Sequence, residues 1–280
     1  MSTFAAPDGT ALSYETVGAG PHLLCVPGGP GRAAEYLEDL AGLSATRTLV
    51  LLHNRGTGRS GMPAGTASLR FDRLADDVEA LRAHLGLDVV DVLGHSAGAV
   101  VAQVWAARHP ERVGRLVLVT PSDRLQGGDR GDVDAIRASR ADEPWYADAA
   151  EAQAAAAGAP PEEQQALVRR TRPFFYGRWD ARTQEHAASA DRQGSPQAEA
   201  GFGMDAEVDV RDVLAGLAAL PRPVLVLGGE RDAITGVASV HRVVASVPGA
   251  QAVVLPRAGH FPWVDEPEAF RAAVETFLAG

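Results

Sequence analysis

The chain has 280 residues, of which 46% are hydrophobic and 22% charged, and its formal net charge is −10. That size admits one large domain with an insertion or two small domains, and the acidic balance argues against nonspecific binding to nucleic acid or an anionic membrane. All 26 basic residues are arginine, which excludes a lysine Schiff base and a lysine-dependent phosphate loop, and the single cysteine, Cys25, excludes an internal disulfide and a cysteine-based metal site.

The first ten residues, MSTFAAPDGT, carry neither a basic n-region nor an apolar h-region, so no signal peptide is expected and a cytoplasmic location is. No run approaches the roughly 18–20 apolar residues needed to span a bilayer. PDGT at 7–10 is a turn signal and predicts an antiparallel hairpin. Short, nearly continuous apolar runs follow at 22–26 (HLLCV), 48–52 (TLVLL), 89–93 (VVDVL), 115–120 (RLVLVT), 223–227 (PVLVL) and 251–255 (QAVVL). Runs of this kind are expected of parallel strands buried on both faces. Between two of them Leu74, Val78, Leu81 and Leu85 recur at helical spacing, one face of an amphipathic helix. At the far end, DEPEAFRAAVETFLAG predicts a terminal helix with Asp265 as N-cap and Pro267 in its first turn.

The alternation breaks once. From about Ser122 to Asp205 the strand signal gives way to helical sequence rich in alanine, glutamate and arginine. EAQAAAAGAPPEEQQ (151–165) has the composition of a linker, but Trp145, Tyr146, Phe174, Phe175, Tyr176 and Trp179 flank it. So many aromatics predict a packed insertion. The expected organisation is an α/β core from 1–121 and 206–280, with a mostly parallel sheet covered by helices on both faces, and a helical cap over 122–205.

Chemistry concentrates where the third apolar run becomes helical, in VVDVLGHSAGAVVAQVWAARHP (89–110). A bare G-x-S-x-G is weak, expected by chance in roughly one chain in seven of this composition. Its setting adds weight: a strand to Leu93, a sharp turn at Ser96, and a helix from Ala97 to His109 that stops before Pro110. A serine in such a turn is strained and exposed at the C-terminal edge of the sheet, and Gly94 and Gly98 relieve the crowding around it. An ordinary N-cap serine is the competing reading.

A serine nucleophile needs a base, and the base an orienting carboxylate. Of the downstream histidines His109, His186, His241 and His260, only His260 sits in a loop directly after a strand-like run, in LPRAGHFPWVDEP. His109 ends the elbow's own helix, and His186 and His241 read as solvated helix residues. Asp232, in PVLVLGGERDAIT, is the expected acid, with Glu230 and Asp123 as competitors. Two backbone N–H groups should face the developing oxyanion. One is expected from Ala97, the other from VPGGPGR (26–32), with Gly29 preferred and Gly28 next.

With those residues placed, the chain resembles the α/β-hydrolase superfamily and, within it, the proline iminopeptidase-like branch. GHSAG is similar to the nucleophile elbow, and GGERD and RAGHFPWVDEPEAF to the acid and histidine loops. PGGPG followed by HNRGTGRS (53–60) resembles the paired iminopeptidase motifs H-G-G-P-G and D-Q-R-G-x-G-R-S. The likeness spans almost the whole chain except the insertion. It departs at Pro27, where the family has histidine, at His53, where it has aspartate, and in the elbow, where iminopeptidases resemble G-G-S-W-G. The resemblance implies an α/β-hydrolase fold and acyl transfer to Ser96, with His260 as base and Asp232 as its partner. Gly29 and Ala97 would be the oxyanion donors, and no metal or organic cofactor would be needed. The substrate would be a small-molecule ester, lactone or thioester, or else an aminoacyl amide. For an amide the family implies a cap glutamate on the substrate's amino group, and Glu143, Glu185 and Glu199 are the candidates. Trp145, Phe174, Phe175 and Trp179 are expected to line an apolar substrate pocket. A non-catalytic ligand receptor on the same fold is the third reading.

Overall fold

The computed structural model describes residues 1–129, 131–204 and 206–280. Strands β1 (Ser2–Ala5) and β2 (Ala11–Val17) form the hairpin that PDGT predicts, turning through Gly9 at φ 83°. The six apolar runs become β3 (His22–Val26), β4 (Thr48–His53), β5 (Val90–His95), β6 (Val113–Val119), β7 (Val224–Gly229) and β8 (Gln251–Leu255). They lie in one eight-stranded sheet in the order β1-β2-β4-β3-β5-β6-β7-β8. All pairings from β4 to β8 are parallel, and β2 meets β4 antiparallel.

The continuous hydrophobicity of the central strands has a direct cause: successive side chains enter two different cores. Leu24, Val26, Val92, Leu116, Leu118 and Val226 face one layer of helices. Their neighbours Leu23, Cys25, Leu93, Val117, Val119 and Leu227 face the other. Polar residues at either set would be stranded, so no alternation survives in the sequence.

The first layer consists of α1 (Phe71–His84), α2 (Ala97–Arg108) and, later in the chain, two helices described below. Leu74, Val78 and Leu81 of α1 are buried there as their spacing predicts. Between β6 and β7 the chain is helical: α3 (Val133–Ala138), α4 (Tyr146–Ala156), α5 (Pro161–Thr171), α6 (Ala181–Gln193) and α7 (Pro196–Phe202) form the insertion. The predicted end of this insertion, Asp205, lies outside the described residues. Helix α8 (Val210–Ala218) returns to the first layer through Val213 and Leu217, joined there by α9 (Gly236–Ser246) with Val240 and Val243. Helices α10 (Pro262–Asp265) and α11 (Pro267–Ala279) cover the second face with Trp263, Phe270, Val274 and Phe277. No helix among the described residues is long and apolar enough to cross a membrane.

One expected cap is corrected. Glu266, not Asp265, precedes α11. The Asp265 side chain is instead buried, and its Oδ2 accepts from Gly177 N–H and Gly259 N–H, both at 2.8 Å. Those two bonds tie the insertion to the loop that carries His260. Burial pushes the Asp265 carboxyl up to about 6 against the pull of its two amide donors.

Candidate active site

The strand order reverses direction between β3 and β5, and the loops leaving the C-terminal ends of those two strands meet there. In open α/β sheets this is where ligands bind. The loop after β3 is Pro27–Arg32; the turn after β5 is Ser96.

Ser96 has φ 53° and ψ −117°, a left-handed conformation for a residue with a side chain, and its hydroxyl makes no capping bond to α2. An N-cap serine is extended and bonds to its helix, so the backbone here is that of a strained elbow. The glycines around it are required by contacts more specific than general crowding. A methyl on Gly98 would lie 2.2 Å from the Val26 carbonyl oxygen and 2.6 Å from that of Pro27. A methyl on Gly94 would meet the first turn of α2 at Gly98 O and Ala99 Cα. The second glycine therefore serves the approach of α2 to the neighbouring loop.

That loop is clamped. The Pro27–Gly28 peptide has its carbonyl held by Asn54 Nδ2 at 3.2 Å and its N–H held by Tyr36 Oη at 2.7 Å. Gly28 N–H is thus engaged, which removes it as an oxyanion donor. Gly29 follows at φ 123°, in the left-handed region open to glycine, and among the described residues its N–H has no acceptor. Gly28 itself packs on the elbow: a methyl there would lie 2.9 Å from Ser96 Cβ and 3.1 Å from Ala97 N. Ala97 opens α2, so its N–H is one of the helix's unpaired donors. From above, the insertion grips the same loop. Ala33 N–H donates to Gln193 O and Ser195 N–H to Gly31 O, while the Arg32 guanidinium reaches Gln193 Oε1, His186 O and Ser189 Oγ.

His260 and Asp232 face each other with Nδ1 and Oδ2 3.0 Å apart, both side chains buried. Asp232 also accepts from Ile234 N–H at 2.9 Å, Thr235 N–H at 3.2 Å and Thr235 Oγ1 at 2.6 Å. Burial would raise its pKa, but the facing His260 and these donors outweigh burial and hold the carboxyl below its ordinary value. Asp232 is therefore ionised, and His260 Nδ1 is the donor to it. The main chain of His260 is fixed too: its N–H donates to Phe175 O at 2.7 Å, and its carbonyl accepts from His95 Nε2 at 2.9 Å and Thr120 Oγ1 at 3.1 Å. The rings of His95 and His260 lie 4.9 Å apart, which brings the His260 loop against the elbow. Of the competing acids, Asp123 is paired with Arg242 at 2.6 Å and Glu230 is exposed.

The remaining expectations divide. Phe175 sets its ring edge-on to His260 at a centroid distance of 5.8 Å and stacks on Phe261. Phe174 is buried in a satellite cluster with Ala149 and Ala233, against Trp145 and Tyr146. Trp145 is further engaged through Nε1 with Glu143 and under the Arg140 guanidinium, and Trp179 packs on Tyr176. Phe174, Trp145 and Trp179 thus pack within the insertion, and Phe175 alone of the four abuts His260. Glu143 is bonded to Arg140 and Trp145, Glu185 is exposed, and Glu199 sits on α7 with its carboxyl raised by desolvation. His241 is exposed as expected, but His186 is buried, donating through Nε2 to Tyr36 O at 2.8 Å and accepting from the Tyr176 hydroxyl. Helical spacing alone could not distinguish the two.

At Pro27 and His53, two of the positions that depart from the iminopeptidase pattern, neighbouring residues hold the loop. His53 is fully buried and accepts from Ala34 N–H at 3.3 Å through Nδ1, while Asn54 takes the Pro27 carbonyl. Among the described residues, Glu15, Glu35 and His53 bring their ligand atoms within 4.8 Å of one another. With Nδ1 engaged by Ala34, the His53 proton sits on Nε2, so the ring has no free lone pair for an ion.

The profile of the alpha/beta hydrolase fold family matches residues 21–267. The chain is 32% identical over 273 residues to the pimeloyl-[acyl-carrier protein] methyl ester esterase of Chromobacterium violaceum, covering 95% of this chain and 98% of that one. A shorter stretch of 108 residues is 31% identical to the proline iminopeptidase of Heyndrickxia coagulans, 39% of this chain and 38% of the relative. Among solved structures, an esterase from Rhodococcus superposes with a TM-score of 0.69 at 26% identity, covering 100% of this chain and 99% of that one. A strained serine elbow, a histidine loop and a glycine-rich loop at one sheet edge, together with these relatives, place the chain in the α/β-hydrolase family: it is a hydrolase.

Proposed function

We propose that the chain is a serine hydrolase that cleaves a small-molecule ester, lactone or thioester through Ser96, His260 and Asp232. The observation that carries this reading is the buried His260–Asp232 pair, whose Nδ1–H donation leaves the lone pair of the neutral imidazole on Nε2. His260 Nε2 takes the Ser96 hydroxyl proton as Oγ attacks the substrate carbonyl carbon. Gly29 N–H and Ala97 N–H receive the negative charge that develops on the carbonyl oxygen. The tetrahedral intermediate collapses, the alcohol or thiol leaves with the proton from His260, and water repeats the sequence to free the acid.

Two observations support ester chemistry over aminopeptidase chemistry. A relative aligned along 95% of this chain at 32% identity is named as a methyl ester esterase, whereas a proline iminopeptidase aligned along 92% of it is only 27% identical. Of the three glutamates that could hold a substrate ammonium, Glu143 is engaged by Arg140 and Trp145, burial favours the uncharged form of Glu199, and Glu185 lies exposed to solvent. The test is hydrolysis of p-nitrophenyl butyrate beside proline p-nitroanilide, with Ser96→Ala as blank. Ester turnover that Ser96→Ala abolishes supports the reading. Turnover of the anilide alone replaces it with an iminopeptidase, and no Ser96-dependent turnover of either counts against an acyl-enzyme.

A further inference from the structure

Tyr36 and His95 take no chemical part in that reaction, yet both are buried at its centre. Their hydrogen bonds form one directed chain. Gly28 N–H can only donate, so Tyr36 Oη accepts from it at 2.7 Å. The His260 carbonyl can only accept, so His95 Nε2 carries a proton and donates to it at 2.9 Å. A neutral imidazole protonated at Nε2 keeps its lone pair on Nδ1, which accepts from the Tyr36 hydroxyl at 2.7 Å. Burial, and then the neighbouring His260, keep His95 neutral. Every proton has one place, and the chain cannot run the other way.

The two ends of this chain are functional. At one end the Pro27–Gly28 peptide plane is gripped by Tyr36 and Asn54, and the next peptide along carries Gly29 N–H. At the other end is the main chain of His260, whose imidazole is the base. His95 is itself covalently joined to Ser96. We propose that Tyr36 and His95 are positioning residues that act as one unit, setting the Gly29 N–H and the His260 imidazole in register with Ser96. The proposal rests on the roles given to Ser96, His260 and Gly29 above.

The Tyr36 ring also packs on Phe261 and Trp263, with the Arg32 guanidinium 4.4 Å above it. Tyr36→Phe keeps those contacts and removes only the hydroxyl, leaving Gly28 N–H and His95 Nδ1 without partners. A misplacement of about 1 Å at a reacting group costs on the order of 100-fold, and outright loss of an oxyanion donor roughly 100- to 1,000-fold. Here the donor shifts and is not lost. Tyr36→Phe is therefore expected to lower kcat on p-nitrophenyl butyrate by about 10- to 100-fold, with KM within about twofold.

His95→Leu should give a comparable loss. The double variant should be no slower than the slower single, because each breaks the same chain. His95→Gln, whose amide nitrogen can still donate to the His260 carbonyl, should retain more activity than His95→Leu. A purely structural role would lower the melting temperature without this split of kcat from KM and without rescue by glutamine. Wild-type kcat in Tyr36→Phe, or losses that multiply in the double variant, overturns the proposal. Were Tyr36→Phe to fail to fold, equal activities of His95→Gln and His95→Leu would overturn it instead. Ser96→Ala, run alongside, separates the failures. Activity in that variant removes the underlying mechanism, whereas an inert Ser96→Ala beside a fully active Tyr36→Phe removes the positioning role alone.

Discussion

Asp232→Asn is the substitution whose effect follows most directly from the hydrogen bonds. Asp232 Oδ1 accepts from Ile234 N–H and Thr235 N–H, and Oδ2 accepts from Thr235 Oγ1 and His260 Nδ1. The backbone donors can only be met by an oxygen, so the asparagine carbonyl takes the Oδ1 place and its NH2 group takes that of Oδ2. That NH2 faces His260 Nδ1 with a hydrogen of its own. The imidazole must then move its proton to Nε2, and the Nε2 lone pair that accepts the Ser96 proton is gone. Wrong-tautomer variants of this kind lose about 10^4-fold in kcat, or roughly 5 kcal/mol of transition-state stabilisation. The two backbone bonds survive and a buried charge is removed, so stability should change by no more than about 1 kcal/mol. The assay is steady-state ester hydrolysis with a melting curve on the same sample. A kcat within tenfold of wild type, in a folded protein, would refute the assignment of Asp232. Asp123 could not stand in for it, being paired with Arg242.

Other expectations follow from particular contacts. Gly98→Ala drives a methyl into the Val26 and Pro27 carbonyls, neither of which can yield, and should destabilise the fold by about 1–3 kcal/mol and lower kcat. Gly158→Ala, where a methyl meets nothing within 4 Å, is the control in thermal melts, and equal melting temperatures for the two variants would contradict the packing argument. Asp265 titrates near 6 in the fold against 3.8 ordinarily, so the folded state favours its protonated form. The stability this gives is full below about pH 4 and is lost as pH rises through 6. Asp265→Asn keeps an acceptor for Gly177 and Gly259 without the charge, so its melting temperature should gain on wild type between pH 4 and 7; a difference that does not vary with pH would count against this. Phe175→Ala should raise KM for esters of longer acyl chains, because its ring abuts His260. Trp179→Ala should leave KM alone and lower the melting temperature, since it packs on Tyr176; the reverse pattern in Michaelis–Menten fits would exchange their roles.

What the sequence makes legible here is local. The strands are visible because the central ones feed two cores and so run nearly continuously apolar, with Asp91 in β5 half-buried, whereas β8 at the sheet edge is apolar in sequence yet partly exposed. The elbow, the acid loop and the base loop each sit directly after such a strand, where a short motif suffices. What it hides is assembled from distant segments. Nothing near Tyr36 marks its hydroxyl as the partner of Gly28 and His95, and helical spacing cannot show that His186 points inward while His241 does not. Asp265 misleads as an N-cap because its position fits one, yet its carboxylate is drawn to two amides, one of them 88 residues away. Gly28 and Gly29 are adjacent and alike in sequence, and the Tyr36 contact and the positive φ of Gly29 tell them apart only in the fold. Thr235, three residues beyond Asp232 in GGERDAIT, is the one supporting residue whose spacing could have signalled its bond to the acid.

The central claim is that Ser96 is an activated nucleophile, and a fluorophosphonate probe tests it most directly. The account predicts a single adduct per chain, mapped by mass spectrometry to the peptide carrying Ser96, absent from Ser96→Ala and strongly slowed in His260→Ala. An unlabelled wild-type protein, or an adduct on another serine, would contradict it.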